Sequence, residues 1–160
     1  MSSLGKDMVG LHYRYPDHYI VEREKVREYA TAVKNDDPAF FEEKAAAELG
    51  YSTLPAPLTF ISVFGYKAVA AFFEHANIAT DDAQIVQVDQ TLKFLRPIQV
   101  GDRLYCEVSI ESVRRAHGTD IIMTKQTVTN EAGDVVQETY TTLAGRAGEE
   151  GEKGFSDAIA

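Results

Sequence analysis

The stretch "LTFISVFGYKAVAAFFEH", residues 58–75, is apolar nearly all round. A helix without a polar face is normally wrapped by the rest of its protein. The stretch therefore predicts a central helix over 58–75, buried on every side. Gly65 costs such a helix about 1 kcal/mol relative to alanine, which points to a close backbone contact at that position. Just upstream, "STLPAPLTF" carries two prolines that break any helix and force an extended approach.

Downstream the period falls to two. Val86, Val88, Leu92 and Phe94 alternate with Gln87, Asp89, Thr91 and Lys93, which predicts a strand with one buried face. After the turn signal "RPIQVGD", Leu104, Cys106, Val108 and Ile110 alternate with Arg103, Glu107, Ser109 and Glu111. Two more strands are expected over 120–130 and 135–143, flanking "NEAGD" with its glycine where φ > 0 is favoured. Long consecutive strands joined by short turns make an antiparallel sheet. One buried helix ahead of that sheet implies that the sheet curls around it, an α+β arrangement.

The first half reads helical after an extended start near 13–20. Val26, Tyr29, Ala30 and Val33 share one face of a helix expected over 22–34. A second, short helix is punctuated by Asp37 as cap, Pro38 at its first position and Gly50 as terminator.

The chain has 160 residues, a length suited to one domain with a real core. That domain is expected over 1–145. The remaining "RAGEEGEKGFSDAIA", 146–160, buries too little to offset its ordering entropy and reads as a flexible acidic tail. A formal net charge of −9 argues against nucleic acid or an anionic membrane as partner, because the long-range field repels both. No apolar run reaches the ~20 residues of a spanning helix, and no signal-peptide pattern opens the chain. The single Cys106 fits a reducing cytoplasm, and His12, His18, His75 and His117 show no metal-ligand spacing. Neither metal nor cofactor is expected.

The element order resembles the hot-dog fold, in which a long antiparallel sheet wraps a central helix. Within that fold the chain is similar to the MaoC-like (R)-specific hydratases and dehydratases. The segment "AVKNDDPAFFEE", 32–43, lies where that family carries Asp-x-Asn-Pro-hydrophobic-His, and "RPIQVGDRL" matches its Pro and Gly-Asp turn. A narrower resemblance, to subunits of the heteromeric mycobacterial (3R)-hydroxyacyl-ACP dehydratases, rests on longer strings: "GLHYRYPDHYIVERE", "PAPLTF", "QIVQVDQTLKF" and "QETYTTLAGRAGE".

The resemblance implies removal of water from a 3-hydroxyacyl thioester to give a trans-2-enoyl thioester, in the type II elongation that supplies mycolic acids. That chemistry needs a base for the α-proton, an acid for the departing hydroxyl, and donors for the enolate-like oxygen. Aligning Pro38 with the family proline puts Asn35 at the Asp position and Phe40 at the His position. Neither exchanges protons near neutral pH. The family's His-Gly pair at the central helix corresponds to Ala56-Pro57, and Pro57 has no N–H to donate. No catalytic residue is then expected in this chain, and the dyad is expected from a catalytic B-type partner subunit. The present chain is expected to hold the substrate, with Phe60, Ser62, Phe64, Tyr66, Gln87 and Gln90 as candidate binding residues and Phe72 and Phe73 beside them. Lys93 with Arg96, or Arg114 with Arg115, are candidate docking patches for the acidic acyl carrier protein. The competing expectation is a self-sufficient homodimeric hydratase or thioesterase, with Asp36 or Asp37 meeting His75 or His117.

Overall fold

The computed structural model describes residues 8–79, 85–146 and 156–157. Two short strands, β1 (His12–Arg14) and β2 (Tyr19–Ile20), precede helix α1 (Arg23–Ala32). Val26 and Ala30 of the expected stripe are fully buried, whereas Val33 lies beyond the last turn and is exposed. The second helical segment divides into a 3-10 turn at Pro38–Phe40 and α2 (Glu43–Glu48). Asp37 caps the turn by accepting the Ala39 N–H at 3.0 Å. Gly50, at φ +89°, follows the end of α2 in the left-handed region expected of a terminator.

The central segment is also divided, into a 3-10 turn at Phe60–Val63 and α3 (Gly65–His75). Phe64, at φ −127°, interrupts the two. Strand β3 (Ile78–Ala79) leads to the long strands β4 (Ile85–Phe94), β5 (Arg103–Ala116), β6 (Thr119–Thr129) and β7 (Val135–Arg146). Together they form an antiparallel sheet in the order β1-β5-β6-β7-β4, with β2 also pairing to β5. The fold is an α+β hot dog. Its core sets Phe60, Phe64, Ala68 and Phe72 against Leu104, Val108, Ile110, Ile122 and Val128 of the sheet.

Two turns that position the site follow their sequence signals. In the loop 130–134, Asp134 N–H donates to Asn130 Oδ1 at 2.9 Å, and Gly133 takes φ +84°. In 96–102, Asp102 Oδ2 accepts the Gln99 N–H at 2.8 Å, and Gly101 sits at φ +93°. Of the C-terminal segment, Ser156–Asp157 (β8) pairs antiparallel with β3, while 147–155 and 158–160 lie outside the described residues.

Two expectations need correction. The central helix is not wrapped on every side: Tyr66 is 77% exposed, because the sheet covers one flank of α3 and leaves the other open. The even alternation read for β4 also fails. Gln87 pairs with Leu143 and Asp89 with Thr142, so Val88 is an extra, bulged residue. The bulge reverses the facing of everything before it. Ile85 and Gln87 therefore share the inner face with Gln90, Leu92 and Phe94, while Val86 and Val88 are exposed in the single chain.

Candidate functional site

A groove of about 670 Å³ runs between the open flank of α3 and the inner face of the sheet. Its helical wall is formed by Ile61, Ser62, Tyr66, Val69 and Phe73. Its sheet wall is unexpectedly polar, with Gln87 and Gln90 beside Thr124, Gln126, Thr139 and Thr141. Cross-strand register explains the grouping, since Gln90 opposes Thr141 and Thr141 opposes Thr124 across three strands. Gln90 Nε2 donates to Thr141 Oγ1 at 3.3 Å. Gln126 Nε2 donates to the Gly65 carbonyl at 2.6 Å, tying the first turn of α3 to the sheet. The close approach inferred from Gly65 is real: a Cβ there would sit 3.0 Å from Gln126 Nε2.

Four of the residues expected to bind substrate, Ser62, Tyr66, Gln87 and Gln90, border this groove, as does Phe73. Phe60 and Phe64 do not, and are corrected to core residues. Phe60 is fully buried with its ring edge-on to Tyr19 and Tyr29, and Phe64 stacks on Tyr19 at 4.8 Å. They fall on the covered side of the helix because Tyr19, brought in by the β2–β5 pairing, supplies a flat partner there. Phe72 is likewise core. Sequence reasoning missed Thr124, Gln126, Thr139 and Thr141. The signal was present in β6, where Thr124 and Gln126 alternate in phase with Ile122 and Val128 and are buried with them.

A second cavity, of about 280 Å³, adjoins the same sheet face towards the C-terminal end of β4. Phe40, Pro57, Ala56 and Asp37 border it together with Phe94 and Gln137. Phe40 and the Ala56-Pro57 pair are far apart in sequence, and the fold brings them to one place. The loop carrying Phe40 is clamped by Arg27, whose Nε and Nη2 donate to the Phe41 carbonyl at 3.1 and 2.7 Å. Ala56 is held by its N–H donating to the Ile98 carbonyl at 2.7 Å. Asn35 does not border the cavity, and its Oδ1 accepts the Asp37 N–H at 3.2 Å.

The competing Asp–His pairing is not formed among the described residues. His75 packs on Tyr13 at 4.7 Å between ring centres, and His117 occupies the β5–β6 turn at φ +50°. The one close carboxylate–imidazole contact is Asp17 Oδ1 with His18 Nδ1 at 3.5 Å, among the described residues. These two border a separate hollow of about 90 Å³ with Lys67 and Cys106, and share no residue with the groove. Burial pushes the Cys106 thiol up to about 12, which disfavours the nucleophilic thiolate at neutral pH. The expected docking patches are largely compensated. Lys93 lies 3.8 Å from Glu138, Arg96 lies 3.5 Å from Asp134, and Arg115 grips Asp120 through two hydrogen bonds of 2.7 and 3.0 Å.

A family profile described as the FAS1-like dehydratase domain region matches residues 7–139. The chain belongs to that family. The UPF0336 protein Rv0635 of Mycobacterium tuberculosis is 73% identical to this chain over 158 residues, covering 99% of each chain. One chain of a C-terminally truncated HadBC (3R-hydroxyacyl-ACP dehydratase) complex from the same species superposes with a TM-score of 0.79 at 47% identity, covering 87% of this chain and 98% of that one. A solved MaoC-like dehydratase superposes with a TM-score of 0.82 at 38% identity, covering 91% of this chain and 44% of that longer one. No helix among the described residues is long and apolar enough to cross a membrane.

Proposed function

We propose that this chain is the substrate-holding, chemically silent subunit of a heteromeric (3R)-hydroxyacyl-ACP dehydratase, of the kind called HadA. The observation that carries the reading is the cavity bordered by Phe40 and Ala56-Pro57. Aligned with the MaoC-like pattern, this chain carries Phe40 where an imidazole is called for and Pro57 where a backbone donor is, and the two border one cavity. Elimination of water needs a proton taken from Cα and another given to the departing hydroxyl, and neither group there does either. The Asp and His then come from a dyad-bearing B-type partner.

The rest of the chain suits a holding role. The 670 Å³ groove has a size typical of small-molecule sites. Its apolar helical wall gains about 0.8 kcal/mol per methylene buried, a suitable return for a long acyl chain. Among the described residues strand β4 ends the sheet, with Val86 and Val88 both 56% exposed, a surface suited to a partner's sheet. The 73% identity to one Mycobacterium tuberculosis protein against 47% to the HadBC chain of the same species supports a subunit type distinct from that chain. The carrier-linked substrate, a place in mycolic acid elongation and a cytoplasmic setting belong to this same reading.

The test is an assay of 3-hydroxyacyl and trans-2-enoyl thioesters with this chain alone and with a co-expressed dyad-bearing partner. Silence alone and turnover together is the expected result. Appreciable turnover by the chain alone would instead establish a self-sufficient hydratase.

A further inference from the structure

The polar sheet wall of the groove owes its amides to a backbone irregularity. With an even period along β4, Val86 and Val88 would face α3 together with Gln90 and Leu92. The extra residue at Val88 turns both valines outward and brings Ile85 and Gln87 in, where both border the groove. A bulge breaks the ladder locally and typically persists where it re-aims a side chain beside a site. Here it replaces two aliphatic side chains with one aliphatic side chain and a primary amide. A groove shaped for bare alkyl gains nothing from that exchange.

The polar groups of this wall fall into two sets. Thr124, Gln126 and Thr139 are buried, and each is engaged within the protein. Thr124 Oγ1 donates to the Thr141 carbonyl at 3.4 Å, Gln126 Nε2 to the Gly65 carbonyl at 2.6 Å, and Thr139 Oγ1 accepts from Gln137 Nε2 at 3.4 Å. Gln87 and Gln90 are exposed and occupy consecutive inward positions of β4. The contact from Gln90 Nε2 to Thr141 Oγ1, at 3.3 Å, is long and lies at the open surface. These two amides are the groups that a guest in the groove covers.

The cost of covering them decides what can lie there. An amide stripped of water and given no partner offsets the burial of roughly one to four methylenes. A bare chain crossing both amides therefore forfeits much of what its length gains. A chain with a hydroxyl at that level keeps the gain, because a primary amide donates through its nitrogen and accepts through its oxygen, as a hydroxyl does in return.

We propose that the groove selects acyl chains bearing one in-chain hydroxyl, in addition to the hydroxyl that the reaction removes, and that Gln87 and Gln90 recognise it. The inference rests on the acyl-holding reading above and deepens it, since it assigns the substrate class to the polar wall of that same groove.

Equilibrium dialysis of the full-length chain against tetradecanoyl-pantetheine and a set of isomers, each hydroxylated at a different carbon along the chain, tests it. One hydroxyl position, or two adjacent ones, should bind about tenfold more tightly than the unsubstituted chain, the factor that one net hydrogen bond of roughly 1.4 kcal/mol provides. Gln87→Leu with Gln90→Leu should erase that position-dependent gain and bind the unsubstituted thioester more tightly than wild type, an increase that a misfolded variant does not show. Saturable binding of every thioester with no favoured position would overturn the selection and leave the holding role standing. A favoured position that persists in the double variant would overturn the assignment to Gln87 and Gln90. Absence of binding by any of the thioesters would overturn the holding role and this inference together.

Discussion

The side-chain amide of Gln126, on the inner face of β6, donates to the Gly65 carbonyl at the first residue of α3 over 2.6 Å. This one contact sets how closely the central helix approaches the sheet, and with it the width of the groove between them. A methyl group at position 65 would meet Gln126 Nε2 at 3.0 Å, Gln126 Oε1 at 3.2 Å and Ile61 Cγ1 at 3.2 Å. Gln126 is tethered and cannot swing aside. Gly65→Ala is therefore expected to destabilise the fold by about 1–2 kcal/mol, overpacking outweighing the gain in helix propensity. In a Gln126→Ala background the same change should cost much less. Denaturant midpoints of the four proteins in this double-mutant cycle measure the coupling.

The buried thiol gives a pH dependence with a defined sign. Cys106 ordinarily ionises near 9.0, and burial raises it to about 12 in the folded chain. Below pH 9 the thiol is protonated folded or unfolded and its contribution is constant. Above that the unfolded chain releases the proton first, so stability declines as pH rises from about 9 to about 12. Cys106→Ser or Cys106→Ala should flatten that part of the stability profile. A disulfide-exchange reagent at pH 8 should label the thiol only after unfolding.

On β4, Val86 and Val88 are exposed in the single chain. Val86→Asp with Val88→Asp is expected to leave the chain's own unfolding within about 0.5 kcal/mol of wild type, as surface substitutions usually do. Co-purification and sedimentation with a dyad-bearing partner should show association weakened tenfold or more. An unchanged complex would move the interface away from this strand.

Supplying a titratable group at position 40 tests the proposed chemical silence of this chain. Phe40→His, which puts an imidazole on the cavity wall that Asp37 also borders, should give at most weak hydration of trans-2-enoyl thioesters by the chain without a partner, and adding Asn35→Asp should change this little because Asn35 lies outside the cavity. Pro57 still withholds a backbone donor from the thioester oxygen, and one such donor is worth about 10²–10³ in rate. Turnover should therefore stay at least a hundredfold below that of the assembled pair, as read by ultraviolet absorbance of the enoyl group.

Much of this molecule was legible before any coordinates. The all-round apolar stretch 58–75, followed by a 2-residue apolar period, located the central helix and the sheet. Asp37, Gly50, Gly101 and Gly133 marked turns because local backbone chemistry alone dictates which residues tolerate them. The resemblance to the MaoC-like family, and not local physics, put Phe40 and Pro57 opposite the family's proton-moving and donor positions.

What pattern could not supply was which residues face each other across space. The bulge at Val88 reverses one half of β4, and it is a property of the β4–β7 register, which joins segments about fifty residues apart. Tyr19, delivered by β2, decided that Phe60 and Phe64 are core while Tyr66 stays open. Burial alone could not separate the groove from the core, because Thr124 and Gln126 are as buried as their apolar neighbours and differ only in what lies opposite. The sequence by itself determined the elements and most of the turns between them. Tertiary packing decided the rest, since a cavity is made by residues distant in the chain and no local period encodes the space between them.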